Sequence, residues 1–240
     1  ALFPSFIIWS SQLMKDGLII FLLVLAMTMI LQLQERISYL GIAVLAFSLF
    51  GIMSLRFYIF YMVVVAVAGS FLVGTKNSFQ SVVGRTAALV LLGVLLTYFG
   101  VVRTANLDLD RFGSLEAVQR SRLDQATSAK SGFGSEVDVS TTQGAITAIP
   151  IGLTYLMLAP FPWQVSNLRQ SITLPEGLLW WAMMPFLISG FWYSVKHRLR
   201  RAFPVLIFST TPTLAYSIFQ SNVGTAYRQR TQIQVFLFMF

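Results

Sequence analysis

The chain has no cysteine, one histidine and few charges: 11% of its 240 residues. Without cysteine, disulfides, thiolate nucleophiles and zinc–thiolate sites are excluded. The histidine, His197, sits in Lys196-His197-Arg198-Leu199-Arg200-Arg201. A histidine metal site needs partners that this sequence does not supply, so His197 reads as part of a basic loop and no metal is expected. A Gly-rich phosphate loop, a Ser-His-Asp set and a His-Glu metal motif are also missing. No cofactor can be named from what remains.

What is present is mostly hydrocarbon. Apolar residues make up 56% of the chain and the mean hydropathy is +0.72. Several runs approach the ~20 apolar residues a helix needs to cross ~30 Å of hydrocarbon, so the principal partner is a lipid bilayer. The net charge is +8, from 17 Lys and Arg against nine acids. The basic residues are scattered at the edges of apolar runs, as the positive-inside bias requires, and this argues against nucleic acid as a partner. The chain begins at Ala1 and stops inside the apolar run Val235 to Phe240. It therefore reads as a piece of a longer membrane protein.

The expected fold class is all-α: a polytopic transmembrane helical bundle with one long extramembranous loop. Residues 1–102 hold N-terminal transmembrane helices and an interfacial segment, 103–144 the loop, and 145–240 the C-terminal transmembrane helices. As one helix, Pro4 to Gln34 would measure about 46 Å, too long for one perpendicular span. Pro4 and Trp9 therefore suit a short interfacial helix, Lys15-Asp16 the water boundary, and Gly17 to Leu33 a span. Further spans are expected at Ser38–Leu55, Phe57–Gly74 and Thr86–Val102, with a polar connection at Lys76–Arg85.

The stretch from Arg103 to Gly144 holds six of the nine acids, Asp108, Asp110, Glu116, Asp124, Glu136 and Asp138. Within it Ser114–Ala129 suits a short amphipathic helix, and Val137 and Val139 a short strand or extended segment. A loop of this length is a candidate for function or docking. Beyond it, Pro175-Glu176-Gly177 opens a span to Tyr193, the basic cluster Lys196–Arg201 reads as cytoplasmic, and Ala202–Phe219 returns. Asn222–Arg230 reads as a polar loop, and Ile233 as the start of a last span.

Topology turns on Ala145–Phe161, which is apolar but interrupted by Pro150 and ended by Pro160-Phe161-Pro162-Trp163. If it spans, Lys15-Asp16, the long loop and the basic cluster share the cytoplasmic side. If it lies at the interface, Asp16, the loop, Arg228 and Arg230 all face the extracytoplasmic side. Counting charges leaves both open, because long loops contribute little to the bias.

Two constellations can carry chemistry. Lys15-Asp16 is either an interfacial anchor, with the two charges pairing or snorkelling, or a carboxylate at the mouth of a membrane cavity whose charge state Lys15 sets. Such a carboxylate would act as a base or orient a phosphate-bound metal ion. Asn222-Val223-Gly224-Thr225-Ala226-Tyr227-Arg228-Gln229-Arg230 is either a cationic loop on lipid headgroups or an anion site. In an extended or turning segment, Arg228 and Arg230 could converge on one phosphate through paired N–H donors.

Leu2-Phe3-Pro4-Ser5-Phe6-Ile7-Ile8-Trp9-Ser10-Ser11, running into Lys15-Asp16 and an apolar helix, resembles a segment of polytopic GT-C-type glycosyltransferases. The relatives it resembles are the protein-mannosyltransferase-like and lipid-A-sugar-transferase-like membrane proteins. The Asn222–Arg230 stretch is similar to a late loop of bacterial envelope-polysaccharide membrane proteins. The resemblance covers about 25 residues, and the early catalytic loop of that family has no counterpart here.

It implies an integral membrane glycosyltransferase or polysaccharide polymerase that uses a polyprenyl-phosphate-linked sugar in the bacterial inner membrane. Asp16 would be catalytic, and Lys15, Asn222, Tyr227, Arg228 and Arg230 would bind substrate. The competing expectation is a non-catalytic integral subunit, packed through its 21 Phe and the long loop against other membrane proteins. A transporter is less well matched, since paired broken helices are not evident.

Overall fold

A computed structural model of the chain describes residues 15–36, 38–73, 79–98, 100, 113–128, 131–165 and 168–240. Among these, the chain is helical throughout, apart from connections and one isolated bridge between Gly132 and Asn222. The helices are α1 (Lys15–Glu35), α2 (Tyr39–Leu55), α3 (Phe57–Val73), α4 (Phe79–Tyr98), α5 (Leu115–Ser128), α6 (Thr142–Leu158), α7 (Leu168–His197), α8 (Leu199–Phe219) and α9 (Val223–Leu237). The expected interfacial helix at Pro4 and Trp9, and Asp108 and Asp110, lie outside the described residues.

Among the described residues, three helical stretches are long and apolar enough to cross a membrane: Lys15–Glu35, Thr173–His197 and Leu199–Phe219. The expected spans at Ser38–Leu55 and Phe57–Gly74 appear as helices of 17 residues each, close to the minimum for crossing hydrocarbon. The expected polar connection before Thr86 is shorter than the sequence suggested, because α4 begins at Phe79.

The chain forms two compact units. One comprises the described residues of 15–100 and 191–210. There α1 lays Ile19, Leu22, Leu23, Ala26, Ile30 and Leu33 into the core, the i, i+3, i+4, i+7 stripe of a packed helix face. α2 answers with Ile42, Leu45, Leu49 and Ile52. The two run antiparallel: a Cβ at Gly41 would meet Leu33, and one at Gly51 would come within 2.9 Å of Leu22. Ser38 caps α2 by accepting the Gly41 N–H.

On the other face of α1, Leu18 and Phe21 are exposed. Along α7, Leu178, Leu179, Phe186, Ile188, Trp192 and Tyr193 are exposed too. Of the most apolar 18-residue window within Thr173–His197, only 6% is buried. Such continuous exposed hydrocarbon suits lipid rather than water.

The other unit comprises the described residues of 113–190 and 211–240. In it α5 forms where the amphipathic pattern placed it, and Arg122 turns inward. Its guanidinium donates to the carbonyls of Ile218 and Gln220 at the end of α8, and to that of Gly134. A buried cation that satisfies terminal carbonyls acts as a side-chain cap, and burial lowers the Arg122 pKa. Of the short strand or extended segment expected at Val137 and Val139, no strand forms. Val139 is instead buried beside Ala145 and Ala148, and its N–H donates to Gln119 Oε1, which leaves no strand partner.

α6 is continuous through Pro150 and belongs to the shorter apolar helices rather than the three long ones. It crosses α8 at Gly152, where a Cβ would overlap the Ser217 carbonyl oxygen. Only glycine lets the two backbones approach that closely.

Candidate functional site

The end of α6 explains the site. Ala159-Pro160-Phe161-Pro162 follows its last turn, and the two prolines supply no N–H to the orphan carbonyls there. Side chains supply the donors instead. Trp180 Nε1 donates to the Met157 carbonyl at 2.6 Å and Trp181 Nε1 to that of Leu158 at 2.9 Å. Arg230 Nη1 reaches in from α9 and donates to Met157 O at 3.0 Å and Ala159 O at 2.8 Å.

Arg230 is thereby 1% exposed. Its guanidinium lies 4.8 Å from the Tyr227 ring centre and 5.8 Å from that of Trp180, within cation–π range of both. Burial lowers its pKa to about 10, while the neighbouring Tyr227 and Glu176 act in the opposite direction. Arg230 therefore remains protonated near neutral pH. Burial, then Glu176, raises the Tyr227 hydroxyl above its usual pKa.

One part of the guanidinium is left over. Nε and Nη2 of Arg230 are buried and have no hydrogen-bond partner. Tyr227 Oη and Glu176 Oε1 are in the same condition, with Glu176 5% exposed. Further along α9, both amide atoms of the fully buried Gln234 are unpaired, as is Gln232 Nε2. Gln232 Oε1 accepts from Tyr216 Oη at 2.8 Å. Buried polar atoms are nearly always paired in folded proteins, so their concentration along one helix sets it apart from the apolar remainder.

This arrangement corrects several sequence expectations. Asn222–Arg230 is not a loop followed by a span from Ile233, but the cap and first half of the single helix α9. Asn222 caps it by accepting the N–H groups of Gly224 and Thr225. At 3.6 residues per turn, Arg228 and Arg230 leave that helix about 200° apart. They do not form a clamp on one anion. Arg228 is half-buried, and its carbonyl accepts from Thr231 Oγ1. Glu176 does not mark a helix start at water, since α7 already begins at Leu168 and runs through Pro175.

Asp16 and Lys15 belong to the other unit. Lys15 is exposed, while Asp16 is 1% exposed. Asp16 pairs not with Lys15 but with Arg56, whose Nη2 lies 2.7 Å from Asp16 Oδ1. Arg56 ends α2, bonds Tyr58 Oη at 2.6 Å and so ties the start of α1 to the α2–α3 corner. The Asp16 carboxylate is thus engaged by the Arg56 guanidinium.

Sequence reasoning passed over Glu176. Three acids lie outside the long loop, Asp16, Glu35 and Glu176; Asp16 and Glu35 stand at the two ends of α1, whereas Glu176 lies within α7. An ionisable group there is costly enough to mark a site. Among the described residues, no cluster of His, Cys, Asp or Glu suits a metal ion. Comparison of the chain with family models, curated proteins and solved structures found no match.

Proposed function

We propose that the chain is a polytopic helical membrane protein that handles a polyprenyl-phosphate-linked sugar, as a glycosyltransferase or polysaccharide polymerase of the bacterial cell envelope. The carrying observation is Arg230, a buried cation with the Nε–Nη2 edge uncommitted, set between Tyr227 and Trp180 with Glu176 nearby. That edge offers two parallel N–H donors, the geometry that suits a phosphate oxygen pair. The three long apolar helices and the two short sequence resemblances agree with a lipid-linked substrate.

In this reading an acceptor hydroxyl attacks the anomeric carbon of the donor sugar. The bond from that carbon to the phosphate oxygen breaks, and polyprenyl phosphate leaves with the electron pair. Arg230 stabilises the charge that develops on the leaving phosphate. The proton of the acceptor passes to a carboxylate. Glu176 takes that role better than Asp16, because Arg56 already engages Asp16. The Arg230 edge is closed from solvent in this conformation, so substrate entry requires α9 to shift against α6 and α7.

The test uses farnesyl phosphate, a short water-dispersible mimic of the carrier, with farnesol as control. Binding to the detergent-purified protein is read from tryptophan fluorescence. Farnesyl phosphate is expected to bind and farnesol not to; Arg230→Ala should lose at least about tenfold in affinity, as for a charged hydrogen-bonding group. Equal binding by Arg230→Ala and wild type would remove the reading.

One observation favours a second reading, a non-catalytic integral subunit. Asp16 and one nitrogen of Arg230 are spent on holding helices together, and Asn222 on capping α9. On that reading no farnesyl phosphate binds, and the protein co-purifies with a membrane partner from its native host.

A further inference from the structure

The corner between α7 and α8 takes no part in the chemistry above. Lys196 and His197 close α7, Leu199 opens α8, and Arg198 alone separates the two helices. Lys196, Arg198, Arg200 and Arg201 line an open cavity of about 1070 Å³, together with His197 and the end of α1. One carboxylate, Glu35, lines the same cavity. The four cations are exposed, and none of their side chains donates a hydrogen bond or forms an ion pair among the described residues. A cavity of this size takes a group of drug-like bulk rather than a lone ion.

The surroundings select the occupant. Trp192, Tyr193 and Val195, on the turns of α7 just before the cluster, are all exposed. Aromatic side chains next to a basic cluster at the end of an apolar helix are the pattern of a headgroup boundary. We propose that this cavity binds the phosphate headgroup of an anionic phospholipid of the bilayer, with its acyl chains along the exposed face of α7. The cations meet the phosphate and the aromatic rings meet the glycerol and upper acyl region. A free anion would use the cations alone and leave the apolar face uncovered. Each Lys or Arg close to an anionic lipid surface contributes about fivefold in affinity, so four opposed by one carboxylate give a strong preference for anionic over zwitterionic lipid.

Native mass spectrometry of the full chain in detergent, titrated with phosphatidylglycerol or phosphatidylcholine, tests this. Phosphatidylglycerol should remain bound while phosphatidylcholine is shed. Glu35→Gln should tighten phosphatidylglycerol about fivefold, without removing any positive charge that sets insertion. Joint replacement of Arg198, Arg200 and Arg201 by Gln should weaken it at least about tenfold, and joint replacement by Lys should leave it within about twofold. Equal retention of the two lipids, or no change in Glu35→Gln, overturns the proposal. So does competition by inorganic phosphate at the lipid's own concentration, which would make this a free-anion site. Displacement by farnesyl phosphate at lower concentration than phosphatidylglycerol also overturns it, by giving the cavity to a lipid-linked substrate.

Discussion

At the residue scale, the informative side chains are charges placed where charge is expensive. Asp16 and Arg56 are buried together, and leaving either one alone strands a charge. Asp16→Ala and Arg56→Ala should each destabilise by about 3–5 kcal/mol, and the double variant by less than the sum. Thermal unfolding in detergent measures all three. Additive effects would mean that the pair contributes nothing jointly. Arg230 differs in kind, because its Nη1 holds the end of α6 while Nε and Nη2 hold nothing. Arg230→Lys should keep much of the capping but lose the paired donors, so farnesyl phosphate binding should fall more than the melting temperature.

Asp138 titrates outside the apolar helices. Its Oδ1 accepts the Ser140 backbone N–H at 2.8 Å, which holds its pKa below the ordinary aspartate value. A carboxyl with a depressed folded pKa adds stability above its unfolded pKa and loses it as pH falls through the folded one. The acid limb of the stability curve, below about pH 4, should therefore be shallower in Asp138→Asn. An unchanged limb would mean that the turn persists in the unfolded chain.

At the element scale, glycine and proline decide where helices meet and end. Gly152→Ala would drive a methyl group into the Ser217 carbonyl, forcing α6 from α8 at a cost of about 1–3 kcal/mol or more. Gly93 in α4 has nothing within 4 Å of a built Cβ. Gly93→Ala should stabilise by up to about 1 kcal/mol through helix propensity. Opposite shifts in melting temperature from one chemical change would separate close packing from backbone entropy. The prolines after Ala159 act differently. By withholding N–H groups they make the last turn of α6 depend on Trp180, Trp181 and Arg230, which is why a distant arginine becomes buried.

At the scale of the whole molecule, the exposed apolar faces of α1 and α7 call for lipid. The absence of cysteine makes this directly testable. A single cysteine at Phe186, which is 76% exposed, can carry a spin label after reconstitution in liposomes. Collisions with oxygen should exceed those with a nickel chelate, as for a site in hydrocarbon; the reverse would place that face of α7 in water.

Helix-forming apolar runs were legible because their length and hydropathy are local properties: α1, α2, α3 and α8 begin and end close to where the sequence put them. The amphipathic α5 was legible for the same reason. The sequence by itself determined the presence of helices long and apolar enough to span a bilayer, the helical character and the exclusion of thiol chemistry, since each follows from composition summed over short windows. What only the tertiary structure decided was the partners of the buried charges Asp16 and Arg230. Asp16 could have paired with its neighbour Lys15 but lies against Arg56, 40 positions away. Asn222–Arg230 reads as a polar loop because its polar residues face no apolar period, yet it is a buried helix whose arginine serves the carbonyls of α6. Electrostatic and hydrogen-bond partners are selected by packing across long sequence separations, and no local pattern encodes that choice.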